Sequence, residues 1–395
     1  MSQKQNILIF IDWFLPGYKA GGPISSNANI TDHLKDEFNF FVITRDTDYC
    51  ETKPYSTIKP NEWNTLPNGC KVFYISKNKL SFRNIISISK NIDFDRVYIN
   101  GLYSLYFSIF PLVWFKYFTH KKIVVSTRGM LSDHSFSSKK SKKKIFYFFC
   151  RTFGLYNRTI LHATNHGEAD QIRKNLGFKG IIKIAPNLPP IKNSKLNKRV
   201  KESGKARLIS IARISEEKNT LFALQVLERI ENCIVDFDLY GTIYNNEYLL
   251  ECMKIISRLP PSVKVNYKGS LEKEKISETL PGYHFLFMPS QGENYGHSIV
   301  EAFMGGLPVI ISDQTPWRNL QQASPNNPIN SELYLPLSVG WDLPLENTQE
   351  WVKVIELCAA MDQLAYDQMS QNAFNFGQSI VNDQSVLEAN KRLFE

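Results

Sequence analysis

HFLFMPSQGENYGHSIVEAFMGGLPVIISD, residues 284–313, contains the clearest structural pattern of the chain. A short apolar strand leads into a polar loop, and a helix is predicted over 297–304. Gly305 and Gly306 end that helix, and a second strand begins after Pro308. The first turn of such a helix leaves backbone N–H groups unpaired at the positive end of the helix dipole, which favours a bound phosphate.

Two carboxylates flank this predicted anion site. Glu293 lies in the loop before the helix, and Glu301 lies one turn inside it. Each carboxylate can accept hydrogen bonds from hydroxyl groups, so the arrangement fits a sugar on one side of a diphosphate and a ribose on the other. The alternative is that both are ordinary carboxylates near a helix N-terminus. The strand–loop–helix context favours the ligand site.

A second candidate constellation is RLISIARISEEKNT, residues 207–220. Arg213 ends a predicted strand, and Lys218 follows five residues later in a loop or at a helix start. Two cations at the carboxyl end of a strand can neutralise a diphosphate without a metal ion. Alone they would be taken as surface charges, but together with the first motif they indicate a diphosphate site.

The rest of the chain fits two α/β domains, since 395 residues exceed the usual size of one domain. Short apolar runs rich in Ile, Val, Phe and Tyr alternate with stretches long enough for helices, which predicts parallel sheets with helices on both faces. The predicted strands are 7–12, 38–44, 71–76, 96–100, 123–126, 160–163 and 182–185, then 208–212, 235–240, 263–267, 284–288 and 309–312.

The domain boundaries are predicted from local changes in composition. A polar, basic segment that follows two prolines is typical of a linker, and residues 348–394 show helical patterns without strands. We therefore expect an N-terminal Rossmann-like domain over 1–190, a linker over 191–205 and a C-terminal Rossmann-like domain over 206–377. We expect the two doubly wound domains to face each other. Ligands lie at the carboxyl ends of the strands in such sheets, so a site is expected in the cleft between the domains.

The first half offers further candidates. Gly21 and Gly22 follow the first strand and open a helix, so the backbone can approach a ligand closely there. The pattern does not match G-x-G-x-x-G, and a plain tight turn is the alternative. Arg128 and His134 follow a later strand, at the edge where acceptor-side residues would lie.

Charge is unevenly distributed. Residues 1–190 carry 27 Lys and Arg against 13 Asp and Glu, a net charge of +14, which indicates an anionic partner. Five lysines run into the aromatic stretch 145–149, which suits an anionic bilayer surface; they are Lys139, Lys140, Lys142, Lys143 and Lys144. A solvated charge run is the alternative. Nucleic acid is not expected, because no nucleic-acid module accompanies the lysines.

Several protein classes are not favoured. The longest apolar run, 102–115, is shorter than the roughly 20 residues of a spanning helix. The N-terminus does not resemble a signal peptide, and the six cysteines form no C-x-x-C pair, so we expect reduced thiols in the cytoplasm. No zinc motif or G-x-S-x-G elbow occurs, and we expect no metal site. Asp46 and Asp48, a D-x-D after a strand, leave a metal-dependent transferase as a weak alternative.

These segments resemble the retaining GT-B glycosyltransferases of the large family (family 4 type) that includes sucrose synthases, phosphatidylinositol mannosyltransferases and bacterial polysaccharide-assembly enzymes. The resemblance spans nearly the whole chain. It is most specific over 207–220 and 284–318, where the E-x7-E motif from Glu293 to Glu301 and the Arg213–Lys218 pair match in order and spacing. The segments TRDTDY and STRGMLS are similar to the bacterial surface-polysaccharide branch.

The resemblance implies a role for each matching position. Glu293 is expected to contact hydroxyls of the donor sugar and Glu301 the nucleotide ribose. Arg213 and Lys218 would hold the diphosphate and stabilise its charge as it leaves. Donor binding would be completed by Gly21, Gly22, Asn294, Tyr295, Gly296 and His297. Asn294 stands where the family commonly has Gly, and His297 where an aliphatic residue is frequent, which leaves the donor sugar open.

The resemblance also implies metal-independent transfer with retention of anomeric configuration, no cofactor besides a UDP- or GDP-sugar as co-substrate, and a last helix, about 378–395, that crosses back to the first domain. The leading hypothesis is a cytoplasmic enzyme, peripheral at the inner face of the cytoplasmic membrane. It would extend a saccharide or polyprenyl-diphosphate-linked oligosaccharide for a capsule or O-antigen-type polymer. The alternatives are a non-catalytic GT-B scaffold that binds sugar nucleotide or membrane, and a nucleotide-sugar epimerase or hydrolase.

Overall fold

The computed structural model describes residues 4–131, 140–192, 195–321 and 338–395. The chain forms two compact units, which are described separately below. The N-terminal unit comprises Met1–Ile191 together with Asp383–Glu395, and the C-terminal unit comprises Lys192–Asn382.

Within the described residues, the N-terminal unit has an eight-stranded sheet. Its strands are β1 (Gln5–Phe10), β2 (Phe38–Arg45), β3 (Trp63–Thr65), β4 (Lys71–Ile75), β5 (Arg96–Asn100), β6 (Lys122–Ser126), β7 (Ile160–Ala163) and β8 (Ile182–Ile184). Their order is β3-β4-β2-β1-β5-β6-β7-β8, and every neighbouring pair is parallel except β3 with β4. The central strand β1 is buried from Ile7 to Phe10 because helices cover both faces of the sheet.

The helices of this unit connect the parallel strands. They are α1 (Gly22–His33), α2 (Phe82–Lys90), α3 (Phe110–Phe118), α4 (Lys140–Thr152) and α5 (His166–Leu176). A single π-turn, Leu105–Ile109, leads into α3, so the long apolar run of the sequence forms these two elements. Phe107, Leu112 and Phe115 from that run are buried in the core.

The C-terminal unit has a six-stranded parallel sheet in its described residues. Its strands are β9 (Lys205–Ile211), β10 (Ile234–Tyr240), β11 (Val263–Tyr267), β12 (Phe285–Met288), β13 (Val309–Ser312) and β14 (Gly340–Leu343), in the order β11-β10-β9-β12-β13-β14. Its helices are α6 (Thr220–Leu227), α7 (Asn246–Ile256), α8 (Ile276–Thr279), α9 (His297–Met304), α10 (Thr348–Ala360) and α11 (Gln363–Val381). Strands β3 and β14 were not predicted, because neither contains an apolar run.

The chain ends on the N-terminal unit, as predicted. Helix α12 (Gln384–Lys391) is followed by a 3₁₀ turn whose Phe394 is fully buried. The Phe394 ring lies 5.4 Å from the ring of Phe38 and 5.5 Å from that of Tyr98. The helix begins later than the predicted residue 378, because α11 continues to Val381 and packs on α9. Gly377 makes that approach possible, since a Cβ there would lie 2.6 Å from the backbone of Met304.

The segment predicted as a linker packs on the C-terminal unit. Arg199 and Lys201 are buried although both are charged. Arg199 donates to the carbonyls of Gly305 and Gly306 just after α9, and the Lys201 ammonium donates to carbonyls at the end of α10. Cations at these positions satisfy carbonyls that have no partner within the helix. The basic composition therefore reflects helix capping as well as solubility.

Candidate functional site

The loop between β12 and α9 has the predicted strand–loop–helix geometry. Helix α9 spans His297–Met304, and Gly296 at its N-cap has a φ of 76°. A Cβ at Gly296 would lie 2.7 Å from the Ile299 side chain, so glycine is required both for this backbone conformation and for space. Since α9 has no side-chain N-cap, its first backbone N–H groups lack a capping side chain.

Lys218 and Glu293, which are 75 residues apart in the chain, form an ion pair. The Lys218 Nζ lies 2.6 Å from the Glu293 Oε1, and the two side chains are only 14% and 10% exposed. The Ser290 hydroxyl donates to the same oxygen at 3.0 Å. Both bonds use Oε1, so Oε2 has no hydrogen-bond partner among the described residues.

Arg213 lies beside this pair and contacts a carboxylate that the sequence analysis did not single out. Its guanidinium is 3.0 Å from the Glu217 Oε2, and both side chains are substantially exposed. Glu217 also approaches the Lys218 Nζ at 3.8 Å, and its backbone carbonyl accepts from the Gln291 N–H at 2.9 Å. The two predicted motifs are thus joined through the backbone as well as through Lys218 and Glu293. The available signal in the sequence was the short spacing of the two opposite charges, four residues apart.

Glu301 is the unusual carboxyl group of the site. Burial raises its pKa to about 7, and the charges of Lys273 and Lys192 oppose that shift only partly. The Lys192 Nζ donates to the Lys273 carbonyl at 3.3 Å, which fixes the two lysines relative to each other. Neither lysine is part of a recognisable motif, so sequence analysis missed both. Glu301 can accept hydroxyl hydrogen bonds once ionised.

The remaining residues of the α9 loop are fixed by aromatic packing. The Trp317 indole donates to the Tyr295 carbonyl at 2.5 Å, and the two rings lie 5.6 Å apart. Tyr295 is buried, so its side chain belongs to the protein interior, and burial raises its pKa above the usual range. His297 packs edge-on against Tyr295, while Asn294 and His297 are both partly exposed.

The other predicted residues belong to the N-terminal unit. Gly21 is the N-cap of α1 with a φ of 71°, and Gly22 is the first residue of that helix. A side chain at Gly21 would meet no atom within 4 Å, so this glycine is required by its backbone conformation rather than by space. Arg128 follows β6 and is held by three side chains. His134 and Lys139 lie outside the described residues.

Helix α4 presents an aromatic face to solvent. Ile145, Phe148, Phe149 and Phe153 are between 51% and 69% exposed, although Tyr147 and Cys150 on the opposite side are buried. Lys144 is exposed, and the Lys143 ammonium lies over the ring of Tyr103 at 5.7 Å. Lys140 and Lys142 lie in the first turn of the helix. Contiguous exposed apolar groups of this kind indicate an interaction surface.

Two further properties concern only the part of the chain that the structure describes. No cluster of three or more His, Cys, Asp or Glu side chains is placed to hold a metal ion. None of the described helices combines the length and apolar character needed to cross a membrane. All six cysteines are free, and only Cys50 is exposed.

Comparison with known proteins identifies the C-terminal unit. Residues 192–320 match the family model described as glycosyl transferases group 1. Sequence comparison with curated proteins gives no match. The match lies within the C-terminal unit and covers about a third of the chain, and it confirms the predicted enzyme class, a glycosyltransferase.

Solved structures extend the likeness to the whole chain. A sucrose-phosphate synthase from Thermosynechococcus elongatus matches with a TM-score of 0.69 at 14% identity, over 99% of this chain and 98% of that one. Anabaena Alr3699/HepE, solved with UDP and glucose, matches with a TM-score of 0.67 at 14% identity, over 98% of each chain. WaaG, a glycosyltransferase involved in lipopolysaccharide biosynthesis, matches with a TM-score of 0.61 at 11% identity, over 98% and 97%. The likeness confirms the predicted GT-B fold.

Proposed function

We propose that this protein is a retaining, metal-independent glycosyltransferase that transfers a sugar from a UDP- or GDP-sugar to a saccharide acceptor. The acceptor is proposed to be lipid-linked, in the synthesis of a bacterial capsule or O-antigen-type polymer. The observation that carries the donor half of this proposal is the contact between Lys218 and Glu293. It brings together two segments that lie far apart in the chain and that the sequence assigns jointly to one sugar nucleotide.

The proposed roles of these side chains follow from the hydrogen-bond donors and acceptors that they have left unused. A lysine ammonium has three N–H donors, and within the described residues Lys218 uses one of them, on Glu293. The others are proposed to bind the diphosphate together with Arg213 and the N-terminus of α9. The unused Oε2 of Glu293 is proposed to accept from a donor-sugar hydroxyl, and Glu301 from the ribose.

The proposed reaction needs no separate general base. Fixed cations and the helix dipole stabilise the charge that develops on the leaving diphosphate, which is electrostatic preorganisation. A phosphate oxygen of the leaving group accepts the proton of the attacking acceptor hydroxyl. Since the diphosphate leaves from the face on which the hydroxyl attacks, the configuration at the anomeric carbon is retained.

The acceptor half of the proposal is supported by the N-terminal unit. Its net charge is strongly positive, and in the sequence the lysine run directly precedes the exposed aromatic residues of α4. Clustered lysines next to exposed aromatic side chains favour an anionic lipid surface, with each cation near it contributing about 1 kcal/mol. We propose that this surface holds the enzyme at the inner face of the cytoplasmic membrane, where a polyprenyl-diphosphate-linked acceptor would be located.

The first test is thermal stabilisation by UDP-glucose, GDP-mannose and ADP-glucose in the presence of EDTA. A ligand at 100 times its dissociation constant adds about 2.7 kcal/mol of stability. We expect one nucleotide sugar to stabilise the wild type, with the effect lost in Glu301→Ala and kept in Glu251→Ala, which removes an exposed carboxylate on α7. Absence of stabilisation by all three would contradict the proposed donor class, and stabilisation only after Mg²⁺ addition would contradict metal independence.

The second test concerns chemistry. Glu293→Ala is expected to keep nucleotide binding and to lose transfer. For the wild type, NMR determines the anomeric configuration of the product. An inverted product would contradict retention. Donor consumption that never depends on an acceptor would favour a hydrolase or epimerase, and nucleotide binding without any turnover would favour a non-catalytic scaffold.

A further inference from the structure

Arg128 has a backbone conformation that is uncommon for a residue with a side chain. Its φ is +50°, and the next residue, Gly129, has a φ of +70°. The buried carboxylate of Glu168 holds this turn from both sides, because its Oε1 accepts from the Thr127 hydroxyl at 2.5 Å and from the Gly129 N–H at 2.6 Å. Strained turns held by their surroundings in this way occur at functional sites.

Glu168 makes no hydrogen bond to the Arg128 side chain, because its oxygens are occupied by other donors. Its second oxygen accepts from both the N–H and the hydroxyl of Thr164, each at 2.7 Å. Burial alone would raise the pKa of Glu168, but the four hydrogen bonds outweigh it and lower the pKa. The ionised carboxylate thus fixes the chain on both sides of Arg128 through hydrogen bonds, which makes Glu168 a positioning residue.

The Arg128 guanidinium is oriented by neutral groups. It donates to the side-chain oxygens of Asn100 and Asn187 at 2.7 and 2.6 Å, and to the Tyr98 hydroxyl at 2.9 Å. Asn27 donates to the same oxygen of Asn100, which fixes the orientation of that amide. Among the described residues no carboxylate lies within ion-pair distance of Arg128, whereas Arg45 pairs with Asp12 in the same unit.

The Tyr98 hydroxyl that contacts Arg128 makes a second hydrogen bond, to a buried histidine. The buried His162 must donate from Nε2 to the Ala185 carbonyl, so its Nδ1 accepts from the Tyr98 hydroxyl. Burial and the nearby Arg128 charge lower the pKa of His162 to about 4, so the ring is neutral at physiological pH. These bonds therefore orient the guanidinium through neutral groups, without a direct ion pair among the described residues.

We infer that Arg128 is the centre of a preformed binding site for a phosphoryl group in the N-terminal unit. Arg128 follows β6 and Asn100 ends β5, so both lie at the carboxyl edge of the parallel sheet, where ligands bind in such folds. Arg128 is partly exposed and keeps two of its five N–H donors, which suits the oxygens of a phosphate. The inference rests on the proposed function in one respect, that the phosphoryl group belongs to the lipid-linked acceptor.

Inorganic pyrophosphate is a suitable probe, measured by isothermal titration calorimetry on the full chain. Arg213→Gln/Lys218→Gln is the background, because it removes the cations of the C-terminal unit. We expect this background protein to bind pyrophosphate, and Arg128→Gln added to it to weaken binding at least about tenfold. Arg83→Gln, which removes an exposed arginine on α2, is the matched control and is expected to leave binding unchanged.

Asn187→Asp is a second variant, which tests the same inference if the Arg128→Gln protein does not fold. This nearly isosteric change places a carboxylate beside the guanidinium without removing Arg128, so it should weaken pyrophosphate binding to a similar extent. Binding that is equal in the background, Arg128→Gln and Asn187→Asp proteins, or absent from the background, would overturn the inference. UDP-glucose binding to the Asn187→Asp chain tests the donor site independently, so failure of the proposed function is distinguishable from failure of the phosphoryl site.

Discussion

Glu301→Gln should change how the stability of the C-terminal unit depends on pH. Glu301 has a pKa of about 7 in the folded chain, against an ordinary value of 4.5. Between these values the folded state binds more protons than the unfolded state, so stability falls as pH rises from about 4.5 to about 7 and then levels off. Glutamine has no proton to lose, and the substitution removes this contribution.

The size of the effect follows from the same two values. One pKa unit corresponds to about 1.36 kcal/mol, so ionising this partly buried carboxyl costs roughly 3 kcal/mol above pH 7. For a domain of 150–250 residues, each kcal/mol shifts Tm by about 2–4 °C. The variant should therefore gain about 6–12 °C relative to wild type when the pH is raised from 4.5 to 8.

Differential scanning calorimetry of both proteins at pH 4.5, 6 and 8 measures this gain. The comparison must be between variant and wild type at each pH, because the lowered pKa values of His162 and His284, each about 4, change stability in the opposite direction over part of the same range. A Tm difference between the two proteins that is the same at all three pH values would contradict this prediction, since it would mean that the pKa of Glu301 is the same in the folded and unfolded chain.

Three further predictions concern other contacts. Glu217→Gln should bind the nucleotide sugar a few-fold more tightly, measured by calorimetry, because Glu217 competes for Arg213; unchanged or weaker binding would contradict this. Phe148→Ser/Phe153→Ser should reduce flotation with anionic liposomes, whereas Leu364→Ser, which changes an even more exposed apolar residue on α11, should not. Flotation of the double variant equal to that of the wild type would exclude this face as the membrane contact. Phe394→Ala should destabilise the N-terminal unit by about 3–5 kcal/mol in urea unfolding, and a loss below 1 kcal/mol would contradict the packing described for the chain end.

The fold was predictable because parallel strands covered on both faces are continuous apolar runs. Strands such as Arg96–Asn100 and Val263–Tyr267 have the predicted bounds. The pattern fails where a strand is short or polar, as in Trp63–Thr65, whose neighbours define it rather than its own composition. It also fails for residues 195–205, where buried Arg199 resembles a solvated charge in sequence although it caps a helix.

The candidate site was predictable only in part, and the reason is physical. Glu293 and Lys218 belong to local motifs with fixed spacing, so sequence identifies them. Asn100 and Asn187 carry no such pattern, because they acquire a role only when β5 and the segment after β8 bring them within 3 Å of the same guanidinium. Glu168 is further removed, since it acts on the backbone around Arg128 rather than on a ligand.

The cations of the two proposed sites differ in whether they form direct ion pairs within the protein. In the C-terminal unit Lys218 and Arg213 are each paired with a carboxylate, so these two cations do not repel each other strongly. A diphosphate must then compete with Glu217, which is exposed and can move away at small cost. Arg128 has no such carboxylate among the described residues, so its site depends on the rigid amides and the hydrogen bonds of Glu168. On the proposed function, the donor is therefore exchanged against an internal partner at every turnover, while the acceptor phosphate meets a charge that has no competitor.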